Sequence, residues 1–190
     1  MVPLRVPAVL LIGYGNTLRR DDAVGCLIAR EIEAWNRPEV HVLEVAQLTP
    51  ELAQAMADAQ AVFFVDARAD LSASGCGVQV ERLDPLGESA PPFGHASTPR
   101  FLLALCRAAY GCCPASWLIS VPAADFTLGD GLSDVAVRGK DEALRALERL
   151  LESAVGEPFS RPSCPRSEVV PFSHSSPHQE HSHDRPHHPG

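Results

Sequence analysis

Residues 8–12 (AVLLI) form an unbroken apolar run that stops at Gly13. A short run with no polar alternation fits a strand covered on both faces, the kind found in parallel sheets packed between helices. The segment that follows, 21–35, carries Val24, Leu27, Ile28 and Ile32 at helical spacing. Asp21 and Asp22 stand at its entrance, where a helix N-terminus favours negative charge. Strand, glycine-containing loop and helix make half of a βαβ unit, and the rest of the chain continues the alternation.

Residues 40–45 read as a second strand. Thr49-Pro50-Glu51 opens a helix running to about 57, with Thr49 as N-cap and Pro50 at N1. Residues 61–65 (AVFFV) are another buried strand, stopping at Asp66. In 77–83, Val78, Val80 and Leu83 are interspersed with polar residues, which predicts a half-exposed strand at a sheet edge. After a Pro/Gly-rich loop over 84–94, Thr98-Pro99 caps a helix to residue 110 that carries Phe101, Leu102, Leu105 and Ala109. A strand over 117–121, a loop holding 125–134 and an amphipathic helix over 140–154 complete the series. The predicted fold is α/β, with three layers: a mostly parallel twisted sheet of about five strands and helices on both faces.

The 190 residues leave room for one domain, expected over 1–155. From 156 to 190 the composition turns to Pro, Ser and His with few large apolar residues, which predicts a disordered tail. Sixteen basic against 24 acidic residues give a net charge of -8. That balance argues against nucleic acid, which demands a basic footprint, and against anionic membrane surfaces. The N-terminal apolar run is too short for a membrane span and ends in a glycine loop rather than a cleavage site. The six cysteines include no C-x-x-C pair; Cys26 and Cys106 fall in apolar helical patterns, and Cys112–Cys113 precede Pro114 in a turn. A reduced, cytoplasmic compartment fits this usage.

Three polar residues occupy positions where a parallel sheet builds its sites, at the carboxyl ends of strands. Asp22 ends the loop after the first strand, Asp66 follows AVFFV, and His95 sits in a loop before a helix. Two carboxylates and one imidazole suit nickel, zinc or a similar ion, and three protein ligands leave coordination positions open. Each residue also has a plainer reading: Asp22 as a helix cap, Asp66 as a turn cap, His95 as a solvated side chain. His41, between Val40 and Val42, reads as the polar phase of a strand. The loop GYGNTL lacks the third glycine of a dinucleotide fingerprint, and its paired aspartates would face a pyrophosphate. No G-x-S-x-G elbow, H-E-x-x-H helix or P-loop is present.

In order along the chain, GYGNTLRRDDAVG (13–25), VFFVDA (62–67) and GHASTPRFLLAL (94–105) resemble the motifs of the [NiFe]-hydrogenase maturation proteases, over roughly residues 8–154. Ala23 stands where that family often has glycine. The resemblance implies that Asp22, Asp66 and His95 are the metal-binding and catalytic positions. It also implies an endopeptidase that trims the C-terminal extension of a nickel-loaded hydrogenase large-subunit precursor, the nickel arriving with that partner. Two mechanisms stay open at this point. The metal polarises the scissile carbonyl while Asp22 or Asp66 serves as base, or it acts only as a recognition anchor. The segment VAQLTPEL (45–52) resembles the branch serving NAD-linked bidirectional hydrogenases. The competing reading is a nickel-binding chaperone or storage protein, resting on the tail residues His174, His178, His181, His183, His187 and His188.

Overall fold

The computed structural model describes residues 9–69, 77–84 and 98–156. The first apolar run is strand β1 (Val9–Tyr14), and it pairs in parallel with β2 (Val40–Val45) on one side and β3 (Ala61–Ala69) on the other. Strand β5 (Ala115–Ala123) continues the sheet parallel to β3, and β4 (Gln79–Leu83) closes it antiparallel to β5. The strand order is β2-β1-β3-β5-β4. The expected α/β sheet is therefore present, with its one antiparallel strand at an edge.

Both faces of β1 and β3 are covered, which is why their sequences show no alternation. On one face Leu11, Phe63, Val65 and Val121 pack with Val24, Ile28 and Ile32 of α1 (Val24–Ala34) and with Leu147 and Leu151 of α4 (Asp134–Gly156). On the other, Leu10, Ile12, Val62 and Phe64 meet Ala53 and Met56 of α2 (Leu52–Asp58) and Leu102, Leu103 and Cys106 of α3 (Pro99–Tyr110). Successive residues of a strand point to opposite faces, so one continuous apolar run supplies two cores. Phe63 and Trp117 stack with ring centroids 5.1 Å apart, joining neighbouring strands across one face. His41 is exposed on β2, as strand alternation requires.

Several boundaries shift. The chain does not enter α1 directly at Asp21; a 3-10 turn (Arg20–Ala23) comes first. Glu51, not Thr49, is the N-cap residue of α2, because Thr49 and Pro50 are spent in a turn whose carbonyls accept from Leu52 and Ala53. Thr98 caps α3 as expected, its hydroxyl accepting from the Phe101 amide at 3.2 Å. The buried stripe of α3 is Leu102, Leu103 and Cys106, while Ala109 is exposed. Helix α4 begins at Asp134, six residues before the expected Lys140, because the Ser133 hydroxyl accepts from the Ala136 amide and starts it early.

Two glycines set how closely α1 approaches the sheet. A Cβ on Gly13 would lie 2.1 Å from the Gly25 carbonyl oxygen, and one on Gly25 would lie 2.4 Å from the Val65 oxygen and 2.5 Å from the Tyr14 oxygen. The start of α1 thus rests directly on the backbone of β1 and β3. Among the described residues no helix is long and apolar enough to cross a membrane. The loop over 85–94 and the tail beyond 156 lie outside the described residues.

Candidate active site

The sheet reverses its winding between β1 and β3: the chain leaves β1 for β2 on one side and returns to β3 on the other. Such switch points open a crevice at the carboxyl ends of the strands. Asp66 and Asp22 stand at this crevice. Asp66 lies inside β3 rather than after it, one residue beyond the last partner of β1. Asp22 lies on the 3-10 turn, which packs against β3.

Each carboxylate is held from the end of β1 or from the loop that follows it. The Asn16 amide donates to Asp22 Oδ2 at 2.8 Å, and the Asn16 side-chain carbonyl accepts in turn from the Leu18 amide at 3.0 Å. Gly15 makes room for this: its φ is +143°, and a Cβ there would come within 1.9 Å of the Asp22 carbonyl oxygen. The Tyr14 hydroxyl, at the end of β1, donates to the Asp66 carboxylate. Burial pushes the Asp66 carboxyl up to about 6. The Tyr14 hydroxyl and the Ala67 amide work against that rise, and the negative charge of Asp22 adds to it. Burial together with the Asp66 carboxylate pushes the Tyr14 phenol far up, so it stays a donor. The charge of Asp22 thus reaches Asp66.

Beside them lies a cavity of about 330 Å³ lined by Tyr14, Asp66, Glu81, Leu83, Thr98, Pro99, Arg100 and Leu118. Arg100 at the start of α3 pairs with Glu81 of β4, and also donates to the Asp84 carbonyl at 3.2 Å. Asp66 lines this cavity and Asp22 lies on the 3-10 turn packed against β3, while His95 lies outside the described residues. Among those residues no group of three or more His, Cys, Asp or Glu side chains is arranged to hold a metal. Two carboxylates are oxygen donors of the kind that suit a divalent cation.

Sequence reasoning passed over Tyr14 and Asn16. Both stand in the GYGN segment, where attention goes to the glycines, and only strand pairing shows that Tyr14 ends beside Asp66. It also passed over what Asp21 does. Asp21 is fully buried and accepts from the amides of Ala124 (2.7 Å), Asp125 (2.9 Å) and Ser133 (2.6 Å) and from the Ser133 hydroxyl (2.6 Å). Burial alone would raise its pKa, but these hydrogen bonds outweigh burial and hold the carboxyl below its usual range. Asp21 thus ties the loop after β5 to the loop after β1, while its half-buried neighbour Asp22 accepts from the Asn16 amide.

No protein-family model matches the sequence, and no curated protein matches it. Solved structures do. The hydrogenase maturating endopeptidase HybD from Escherichia coli superposes with a TM-score of 0.62 at 22% identity, over 77% of this chain and 93% of that one. The chain shares the fold of the hydrogenase maturation endopeptidases. The [NiFe] hydrogenase maturation protease HycI from Thermococcus kodakarensis matches with a TM-score of 0.56 at 24% identity, over 80% and 94%. HybD from the same organism matches at 0.58 and 24%, over 75% and 97%.

Proposed function

We propose that this chain is an endopeptidase of hydrogenase maturation, which removes the C-terminal extension of a nickel-loaded [NiFe]-hydrogenase large-subunit precursor. The observation that carries the reading is the pairing of Asp22 with Asp66 at the switch point of a fold shared with maturation endopeptidases. The ordered motifs around Asp22, Asp66 and His95 support it further. A cytoplasmic site of action goes with this partner, and the segment 45–52 favours an NAD-linked hydrogenase as its source.

Nickel enters as part of the substrate. Asp22 and Asp66 offer it oxygen ligands, His95 offers an imidazole, and the precursor's own ligands fill the remaining positions. The bound nickel supplies an anchor that places the scissile bond at the crevice, and such placement can be worth ~7–11 kcal/mol toward a barrier. Asp22 or Asp66 then serves as the base that takes a proton from the attacking water. Tyr14 orients the Asp66 carboxylate, and the Asn16 amide orients Asp22.

The test is a mobility assay on the matched precursor in two forms. The metal-free enzyme is expected to shorten the nickel-loaded form and leave the nickel-free form intact, and His95→Ala is expected to abolish the reaction. Equal cleavage of both forms would remove nickel recognition from the reading; cleavage of neither would remove the peptidase.

A further inference from the structure

Leu18 and Leu128 are 66% and 73% exposed, whereas the other exposed large apolar side chains among the described residues stay at 44% or below. The two leucines are not scattered. Arg19 and Gly129 form a parallel bridge, the Gly129 amide donates to the Leu18 carbonyl at 3.0 Å, and the Arg20 amide donates to the Gly129 carbonyl at 3.1 Å. Leu18 and Leu128 each precede a bridged residue, so the register sets them side by side on two joined loops.

These loops are well tied. Arg19 Nη1 donates to the Phe126 carbonyl at 3.3 Å, and the buried Asp21 carboxylate holds the second loop at Ala124, Asp125 and Ser133. They are also coupled to the site, because the Leu18 amide bonds the Asn16 side chain and the Asn16 amide bonds Asp22. An ordered apolar pair left in water does nothing for the fold and marks a contact surface.

The occupant follows from position and exposure. Neither leucine lines the cavity beside Asp66, so a ligand confined to that cavity would not touch them. Both side chains stand largely exposed on two joined loops, whereas a small molecule would want an enclosing pocket. What covers them while engaging Asp22 and Asp66 must be larger than a side chain or a cofactor. A second copy would bring together two chains of net charge -8. The exposed Arg19 beside the leucines instead favours an apolar surface bordered by acidic groups.

We propose that Leu18 and Leu128 form a docking patch for the folded body of the protein substrate, apart from the segment that enters the crevice. The proposal rests on the endopeptidase reading above. The experiment compares the full chain with the double variant Leu18→Ser/Leu128→Ser over a range of nickel-loaded precursor concentrations. The variant is expected to melt as the parent does and to keep kcat, with KM raised about tenfold or more. An unchanged KM overturns the docking patch and leaves the peptidase standing. A fall in kcat at constant KM overturns it too, making the loops part of the catalytic framework. A parent chain that fails to cut the precursor removes both readings. Loss of self-association by sedimentation, with KM unchanged, assigns the pair to a second copy and overturns the proposal. Should the double variant melt early, Leu18→Ala and Leu128→Ala are measured singly against the same criteria.

Discussion

At the scale of single residues, two adjacent aspartates do opposite jobs. Asp21 is sealed in the fold with three amides and one hydroxyl pointing at it, and Asp22 is half-buried with the Asn16 amide as its partner. Removing charge from each should therefore separate stability from activity. Asp22→Asn is expected to melt like the parent and lose precursor cleavage. Asp21→Asn turns an acceptor into a donor in front of N–H groups and should cost about 2–4 kcal/mol, with cleavage retained below the melting range. Thermal unfolding and a cleavage assay on both variants check this, and a destabilised Asp22→Asn would reduce that residue to a structural role. Asp66 carries a different signature. Its folded carboxyl is raised from 3.8 to about 6, so it binds more protons folded than unfolded, and stability is lost as pH climbs through that window. Asp66→Asn should then be more stable than the parent at neutral pH by about 1–3 kcal/mol, the gain fading near pH ~4, with cleavage abolished. Denaturant titrations at several pH values measure the difference; a gain independent of pH would detach it from this carboxyl.

At the scale of elements, the close seat of α1 on the sheet decides where the site residues end up. Gly25 touches the carbonyls of Tyr14 and Val65, the residue before Asp66, so α1 and both site-bearing strands meet at one point. Gly25→Ala places a methyl against backbone that has no side chain to move aside. The expected cost is about 1–3 kcal/mol or more, with cleavage falling even where the variant is fully folded, because Tyr14 and Asp66 shift apart. Wild-type cleavage by a folded Gly25→Ala protein would show that the seat has slack. Patterning named the elements well wherever one face or both faces are buried, as in β1, β3 and α1. It failed at their ends. Ser133 starts α4 early and Thr49-Pro50 spends itself in a turn, and both outcomes depend on local hydrogen bonds that apolar periodicity does not register.

At the scale of the whole molecule, the two cores are closed by α1 and α4 on one face and by α2 and α3 on the other, all within residues 9–156. Truncation after Pro158 leaves every one of these elements in place. The shortened chain is expected to keep its melting temperature and to process nickel-loaded precursor, while binding fewer nickel ions by equilibrium dialysis, because six of the eight histidines are gone. Loss of cleavage at saturating loaded precursor would move the tail from storage into mechanism.

The sequence by itself determined the layered α/β class, because an apolar run without alternation has nowhere to go but between two helical layers. It also marked Asp22 and Asp66 as candidates, because acidic residues that follow a buried apolar run lie towards the end where such sheets open. Only the tertiary structure decided which partners those charges have. Tyr14 reaches Asp66 across β1 and β3, and Asp21 reaches Ser133 across 112 positions of chain. A hydrogen bond between side chains distant in sequence leaves no trace in periodicity or composition, since it depends on how strands are ordered and not on what any one of them contains.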